Sequence, residues 1–225
     1  KAEVVTPWGM INVNSRLIGK FNLYNLLAVI AAVMSSGIGK NQENLDLIED
    51  AIPKVSTPPG RMEVISNFDV IGPRVIIDYA HTPDALKNSL SELKSHDASS
   101  VWIVFGCGGD RDQGKRSEMG EIASKYADHV ILTNDNPRTE SPSKIIADIQ
   151  KNIKGRVTIE LDRAQAIKMA IRSAEKTDTV LISGKGHENY QLIGEKQIFF
   201  SDKLQAETIL SELEISKSEL KGCIA

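Results

Sequence analysis

From Arg61 onward, short runs of β-branched and other apolar residues alternate with amphipathic segments, and few folds accommodate that pattern. The runs lie at residues 62–65, 75–78, 101–105, 130–132, 157–161 and 180–183. The amphipathic segments between them lie at 83–93, 116–127, 142–153 and 163–174. Apolar runs this short and continuous belong to strands buried on both faces, which requires a mostly parallel sheet covered by helices on both sides. A late pair of runs, 190–193 and 197–200, predicts a hairpin turning at Gly194-Glu195, and Ser201 caps a last helix over 202–213, followed by a loosely held tail.

The first part of the chain reads differently. Residues 1 to about 20 predict one or two short strands around a Pro7-Trp8-Gly9 turn. Asn22 caps a helix running to Gly37, and a second helix covers 42–52. Pro53 and the run Thr57-Pro-Pro-Gly60 stop regular structure, which sets a domain boundary between residues 57 and 58. The chain opens inside an apparent strand without an initiator methionine, so it is expected to be a piece of a longer polypeptide.

Composition excludes several functions. Of 225 residues, 41% are hydrophobic and 25% charged, and the net charge of −3 gives nothing to draw the chain to nucleic acid or anionic membranes. No apolar stretch reaches membrane-spanning length. Cys107 and Cys223, with four scattered histidines, make no metal spacing, and Cys107 reads as a small filler beneath a glycine turn rather than a nucleophile. Trp8 and Trp102 are expected in the cores.

The polar motifs follow the strands. They are Asp78-Tyr-Ala-His-Thr-Pro83, Gly106-Cys-Gly-Gly-Asp-Arg-Asp112, Thr133-Asn-Asp-Asn-Pro-Arg138 and Gly184-Lys-Gly-His-Glu188. In a parallel sheet these loops share the carboxyl edge, where α/β proteins bind ligands. The stretch Gly109–Lys115 mimics a P-loop, but Arg116 stands where a magnesium-binding hydroxyl is needed, and Asp110 and Asp112 put negative charge where phosphate would sit. The dinucleotide fingerprint fails at Arg111, which leaves no support for a nicotinamide enzyme. Arg111 and Arg138 suit bidentate recognition of carboxylates, and Glu188 suits an ammonium group. The alternative is that Arg111 and Arg138 pair with Asp112 and Asp135 as local bridges.

Taken in order, Gly19-Lys-Phe-Asn-Leu-Tyr-Asn25, Gly60-Arg-Met-Glu63 and the four strand-end motifs resemble those of the Mur ligases, and within them the members that add diaminopimelate. The resemblance implies that residues 1–57 end a central P-loop-type ATPase domain and that 58–225 form a Rossmann-like carboxy-terminal domain. It implies an ATP-dependent ligase that joins meso-2,6-diaminopimelate to UDP-MurNAc-L-Ala-D-Glu through an acyl phosphate during peptidoglycan precursor synthesis. The P-loop and the magnesium ligands are expected upstream, so the chain alone is expected to be inactive. By the same resemblance, Arg111, Asp135, Asn136, Pro137, Arg138, Gly184 and Glu188 form the diaminopimelate pocket. Asn22 and Asn25 are adenine-side residues, and Arg61, Asp78 and His81 are further nucleotide contacts. No metal ligand is expected in this stretch. The protein is expected to be a cytoplasmic monomer without nucleic-acid or membrane partners. Two alternatives stay open: a lysine-adding or other ligase of the family, disfavoured by Arg138, and a non-catalytic amino-acid-binding module.

Overall fold

The computed structural model describes residues 1–36, 42–66, 72–95 and 99–222, with side chains through residue 216. Gly37, Cys223 and the end of the tail lie outside the described residues. The chain divides into two compact units, Lys1–Pro58 and Pro59–Ala225.

The first unit pairs β1 (Ala2–Thr6) and β2 (Gly9–Val13) as an antiparallel hairpin and adds α1 (Lys20–Ser35), α2 (Gln42–Ala51) and a 3-10 turn (Ile52–Lys54). Every fourth residue of α1 is buried, Asn22, Leu26, Ile30 and Met34, so one stripe faces a core shared with Ile11, Val13, Leu45 and Ile52. Trp8 packs against this core. Asn22 does not cap the helix. Gly19 does, with a φ of 102° that a side chain would strain, and Asn22 sits one turn in, where its amide donates to the Ile18 carbonyl at 2.6 Å.

The second unit is built on a six-stranded sheet. Its strands are β3 (Glu63–Ser66), β4 (Arg74–Asp78), β5 (Val101–Phe105), β6 (His129–Leu132), β7 (Thr158–Ile159) and β8 (Thr179–Ser183), in the order β3-β4-β8-β5-β6-β7. All pairings are parallel except β3 with β4. The expected mostly parallel sheet is therefore present, with β3 as an antiparallel edge. The predicted strand over 157–161 contracts to two residues, because only Thr158 and Ile159 pair with β6 and both are exposed.

Helices α3 (Pro83–Lys94), α4 (Lys115–Tyr126), α5 (Pro142–Gln150), α6 (Arg163–Ser173) and α7 (Asp202–Gly222) complete the unit. Alternation along the strands sends Val75, Ile77, Val104, Ile131, Val180 and Ile182 towards Ala166, Ile167, Ala170, Ala206 and Ile209 on α6 and α7. The intervening Ile76, Ile103 and Leu181 are equally buried and face the opposite way. Each such side chain contributes about 1.5–3 kcal/mol on leaving water. Thr82 and Asp162 cap α3 and α6 through their side chains, whereas Ser141 stands at the cap of α5 without a side-chain hydrogen bond. Helix α7 continues to Gly222, beyond the end expected at residue 213. Trp102 is half-buried and packs against the core shared with α6 and α7, stacked 3.9 Å from the His129 ring and donating to Asp178. A separate hairpin of β9 (Tyr190–Ile193) and β10 (Lys196–Phe199) follows the last sheet strand. Among the described residues no helix is long and apolar enough to cross a membrane.

Candidate functional site

Strand order determines which loops meet. Because β8 lies between β4 and β5, the loops after β4, β8, β5 and β6 are neighbours along one edge. A cavity of about 440 Å³ opens there, lined by residues of all four loops and by Tyr190. Six of the seven residues expected in the amino-acid pocket line it: Arg111, Asp135, Asn136, Arg138, Gly184 and Glu188. Pro137 is buried just behind, its carbonyl packed so closely on Gly109 that any Cβ at Gly109 would collide. Gly184 is equally constrained: its φ is 115°, and a Cβ would stand 2.7 Å from Asp135 Oδ2.

The loop ion pairs weighed as the alternative do not form. Among the described residues, Arg111 makes no hydrogen bond or ion pair, and Arg138 has no carboxylate partner. Arg138 adopts a left-handed backbone, φ 52°, held by hydrogen bonds to the hairpin: its N–H donates to the Leu192 carbonyl and its carbonyl accepts from Gly194. Its Nη1 donates to the Gly109 carbonyl at 2.9 Å. A Cβ on Gly108 would lie 3.0 Å from that nitrogen and 3.7 Å from Arg111 Cγ, so the two arginine side chains flank one glycine.

The acidic side of the cavity is organised from beneath. Asp135 accepts from the backbone N–H of Asn136, and burial pushes its carboxyl above the ordinary range, opposed by the charges of Arg163 and Lys185. Glu188 Oε2 accepts from Asn136 Nδ2 at 3.0 Å and from the Lys185 ammonium at 3.1 Å. Asn136 itself is 3% exposed, and its oxygen takes both Lys185 and the Leu192 N–H. Its side chain thus ties the Lys185 and Leu192 segments to Glu188 at the cavity wall. Cys107 lies under the loop beside Met119, and burial raises its thiol to about 12, as suits a filler.

The nucleotide-side residues divide by exposure. Arg61 and His81 are exposed around Tyr79, with the Arg61 guanidinium 4.4 Å from the ring centre and His81 edge-on to it. Asp78 is buried, and both oxygens are used internally, one by the Met62 N–H and the other by Ser89 Oγ at 2.6 Å. Asp78 thereby supports the Arg61-Met62 turn. In the first unit, Asn22 is buried, while Asn25 is exposed with its amide 3.4 Å from Asn22 Oδ1. Among the described residues no cluster of His, Cys, Asp and Glu could hold a metal ion.

Three functional-looking charges were not singled out from sequence. Arg116, fully buried, makes two 2.7 Å bonds to Glu140 and one of 3.0 Å to Asp148, and reaches the Gly108 carbonyl. Glu140 in turn accepts from Asp110 N–H, while Asp110 accepts from Thr139, so the loops carrying Arg111 and Arg138 are interlocked. Arg163 forms a fully buried pair with Asp202 and donates to the carbonyls of Asn134 and Ser183. Lys185 is the third. Its one sequence signal is a lysine set between two glycines after a buried strand.

Residues 60–186 match the profile of the family described as Mur ligase, glutamate ligase domain. A protein of Prochlorococcus marinus (strain NATL1A), named UDP-N-acetylmuramoyl-L-alanyl-D-glutamate–2,6-diaminopimelate ligase, is 48% identical over 212 residues, covering 92% of this chain and 41% of the relative. A Coxiella burnetii protein of the same name is 45% identical over 210 residues, covering 92% and 42%. A solved structure of a ligase with that name superposes with a TM-score of 0.70 at 41% identity, over 94% of this chain and 42% of the other. At 19% identity and a TM-score of 0.61, a UDP-N-acetylmuramate-alanine ligase from Thermotoga maritima shares the fold, over 92% of this chain and 40% of its own. The chain thus spans about two fifths of the length of the curated relatives it matches.

Proposed function

The chain belongs to the Mur ligase family, and from that premise we propose that it is the amino-acid-binding portion of an ATP-dependent ligase that adds meso-2,6-diaminopimelate to UDP-MurNAc-L-Ala-D-Glu. The observation that carries the reading is the mixed charge of the cavity lining: the guanidinium groups of Arg111 and Arg138 and the Lys115 ammonium share it with the carboxylates of Asp112, Asp135 and Glu188. Diaminopimelate has two carboxylates and two amino groups, and a cavity lined by several groups of each sign can meet all four. Lysine lacks the second carboxylate and would leave a guanidinium without a partner.

The chain's own residues bind and orient. Arg138, its backbone fixed by the hairpin, grips the distal carboxylate, and Arg111 adds a second donor set beside it. Glu188 receives an ammonium group. ATP, when bound, supplies the phosphoryl group that activates the γ-carboxylate of the D-glutamyl residue. Nucleotide contacts are assigned to Asn25, Arg61 and His81, with Asn22 and Asp78 acting through the groups they hold. Magnesium ligands belong to other parts of the full protein on this reading. A cytoplasmic, monomeric enzyme completes the proposal.

The test is Arg138→Ala in the full-length protein. Losing a charge-assisted contact worth about 1.5–3 kcal/mol raises the KM for diaminopimelate roughly 10- to 150-fold and erodes preference over lysine, with the KM for ATP unchanged. Unchanged diaminopimelate KM and unchanged selectivity would sink the assignment.

A further inference from the structure

Among the described residues Lys185 carries an ammonium group sealed from water: its side chain is 0% exposed. Burying a lysine is costly unless the charge is paired and hydrogen-bonded. The surroundings show what the lysine does in return. Its Nζ donates to Glu188 Oε2 and to Asn136 Oδ1, each at 3.1 Å, and lies 5.4 Å from the centre of the Tyr190 ring.

Asn136 removes any ambiguity in the arrangement. Its Oδ1 takes two donors, Lys185 Nζ and the Leu192 N–H at 2.9 Å, so its Nδ2 must face Glu188, and it does, at 3.0 Å. Both donors that reach Glu188, Lys185 and Asn136, use the same oxygen, Oε2. Among the described residues Oε1 accepts nothing, and Glu188 lines the cavity. The carboxylate is therefore clamped by one oxygen and presents the other. Charge follows the same logic. Asp135 and Glu188 put two negative groups on this side of the cavity, and Lys185 is a fixed cation beneath them that comes with the protein rather than with the ligand.

We propose that Lys185 is a positioning residue for the incoming amino acid: it clamps Oε2 of Glu188 so that Oε1 is aimed at the ligand's ammonium group. The inference rests on the pocket assignment made above and adds to it a residue that need not touch the ligand.

The experiment is steady-state ligation by the full-length enzyme with Lys185→Met, Glu188→Gln and the double variant. Lys185→Met raises the KM for diaminopimelate about tenfold, the loss expected when a hydrogen bond to a charged group disappears, while kcat and the KM for ATP stay within about twofold. In the Glu188→Gln background the same change adds less than about twofold, since the clamp then has nothing to aim. If Lys185→Met does not fold, the cycle is run with Lys185→Gln, which removes the charge but keeps a donor, and the same non-additivity is expected. Equal effects of the lysine change in both backgrounds, or a fall in kcat at unchanged KM, would overturn the inference, because either reports a general structural role. Glu188→Gln that weakens diaminopimelate while Lys185→Met does not overturns this inference alone. Glu188→Gln with no effect on diaminopimelate overturns the pocket assignment and this inference with it.

Discussion

Among the arginines at the carboxyl edge of the sheet, four fall into two pairs. Arg116 and Arg163 are fully buried beneath the loops and surrounded by acceptors: Glu140, Asp148 and a carbonyl for one, Asp202 and two carbonyls for the other. Arg111 and Arg138 lie on the cavity wall, one without any partner among the described residues and the other donating through one nitrogen to the Gly109 carbonyl at 2.9 Å and the Asn136 carbonyl at 3.4 Å. The same side chain does opposite jobs a few ångströms apart. The foundation pair spends its donors on carboxylates and loop carbonyls and so determines where the loops stand. On the proposed reading the wall pair keeps its donors for what enters, so its cost in protein stability should be small and its effect on ligand large.

The foundation should therefore break first. Removing the guanidinium with Arg163→Met leaves Asp202, whose side chain is 0% exposed, as an unpaired buried charge. The expected loss is about 3–5 kcal/mol, read by urea unfolding of the chain through Trp102 fluorescence in a Trp8→Phe background. Adding Asp202→Leu should recover most of it, because the penalty lies in the orphaned charge rather than in the missing bond. A loss below about 1 kcal/mol would erase the distinction between the two pairs.

That division was only half visible in the sequence. The wall arginines follow buried strands inside glycine- and proline-rich loops, and this local pattern alone marks Arg111 and Arg138 for ligands. The foundation arginines carry no such mark. Arg163 opens a helix and looks like an ordinary surface charge, and its partner Asp202 is 39 residues away. Arg116 registered only as the residue that spoils a P-loop. The sheet was legible because continuous apolar runs permit little else, and β3 reads like its parallel neighbours because strand direction leaves no trace in side-chain pattern. Strand 157–161 was overread for a related reason. Val157 and Leu161 are apolar, but a sheet edge needs only two paired residues. Asn22 shows how local rules lose: it has the chemistry of a cap, but Gly19 already satisfies the turn and the helix buries Asn22 instead.

A milder break uses pH. The Arg116 hydrogen bonds, with Asp110 N–H and nearby charge adding to them, hold the Glu140 carboxyl at about 2 rather than 4.5. A carboxyl depressed by folding contributes stability that is fully present above its unfolded value and fades as it protonates in the folded state. The interlock should thus be intact above about pH 4.5 and lost as pH falls towards 2. Glu140→Gln should lower the urea midpoint near neutrality, and the gap between variant and parent should close across that window. A gap that stays constant with pH would show that Glu140 acts by shape and not by charge.

The smallest effect is the most pointed one. Arg111 is exposed and has no partner to lose among the described residues, so Arg111→Ala should change unfolding stability by no more than about 0.5 kcal/mol. In the full-length ligase the same change should still raise the KM for diaminopimelate, by less than Arg138→Ala does. Arg138 is held in place by the Leu192 and Gly194 backbone and the Gly109 carbonyl, whereas Arg111 must be ordered by the ligand itself and gives back part of its contact energy as lost side-chain freedom. If Arg111→Ala instead destabilised the chain as a buried arginine would, its guanidinium would belong to the foundation and the wall would hold a single arginine. Measuring unfolding and KM on the same variant separates the two cases.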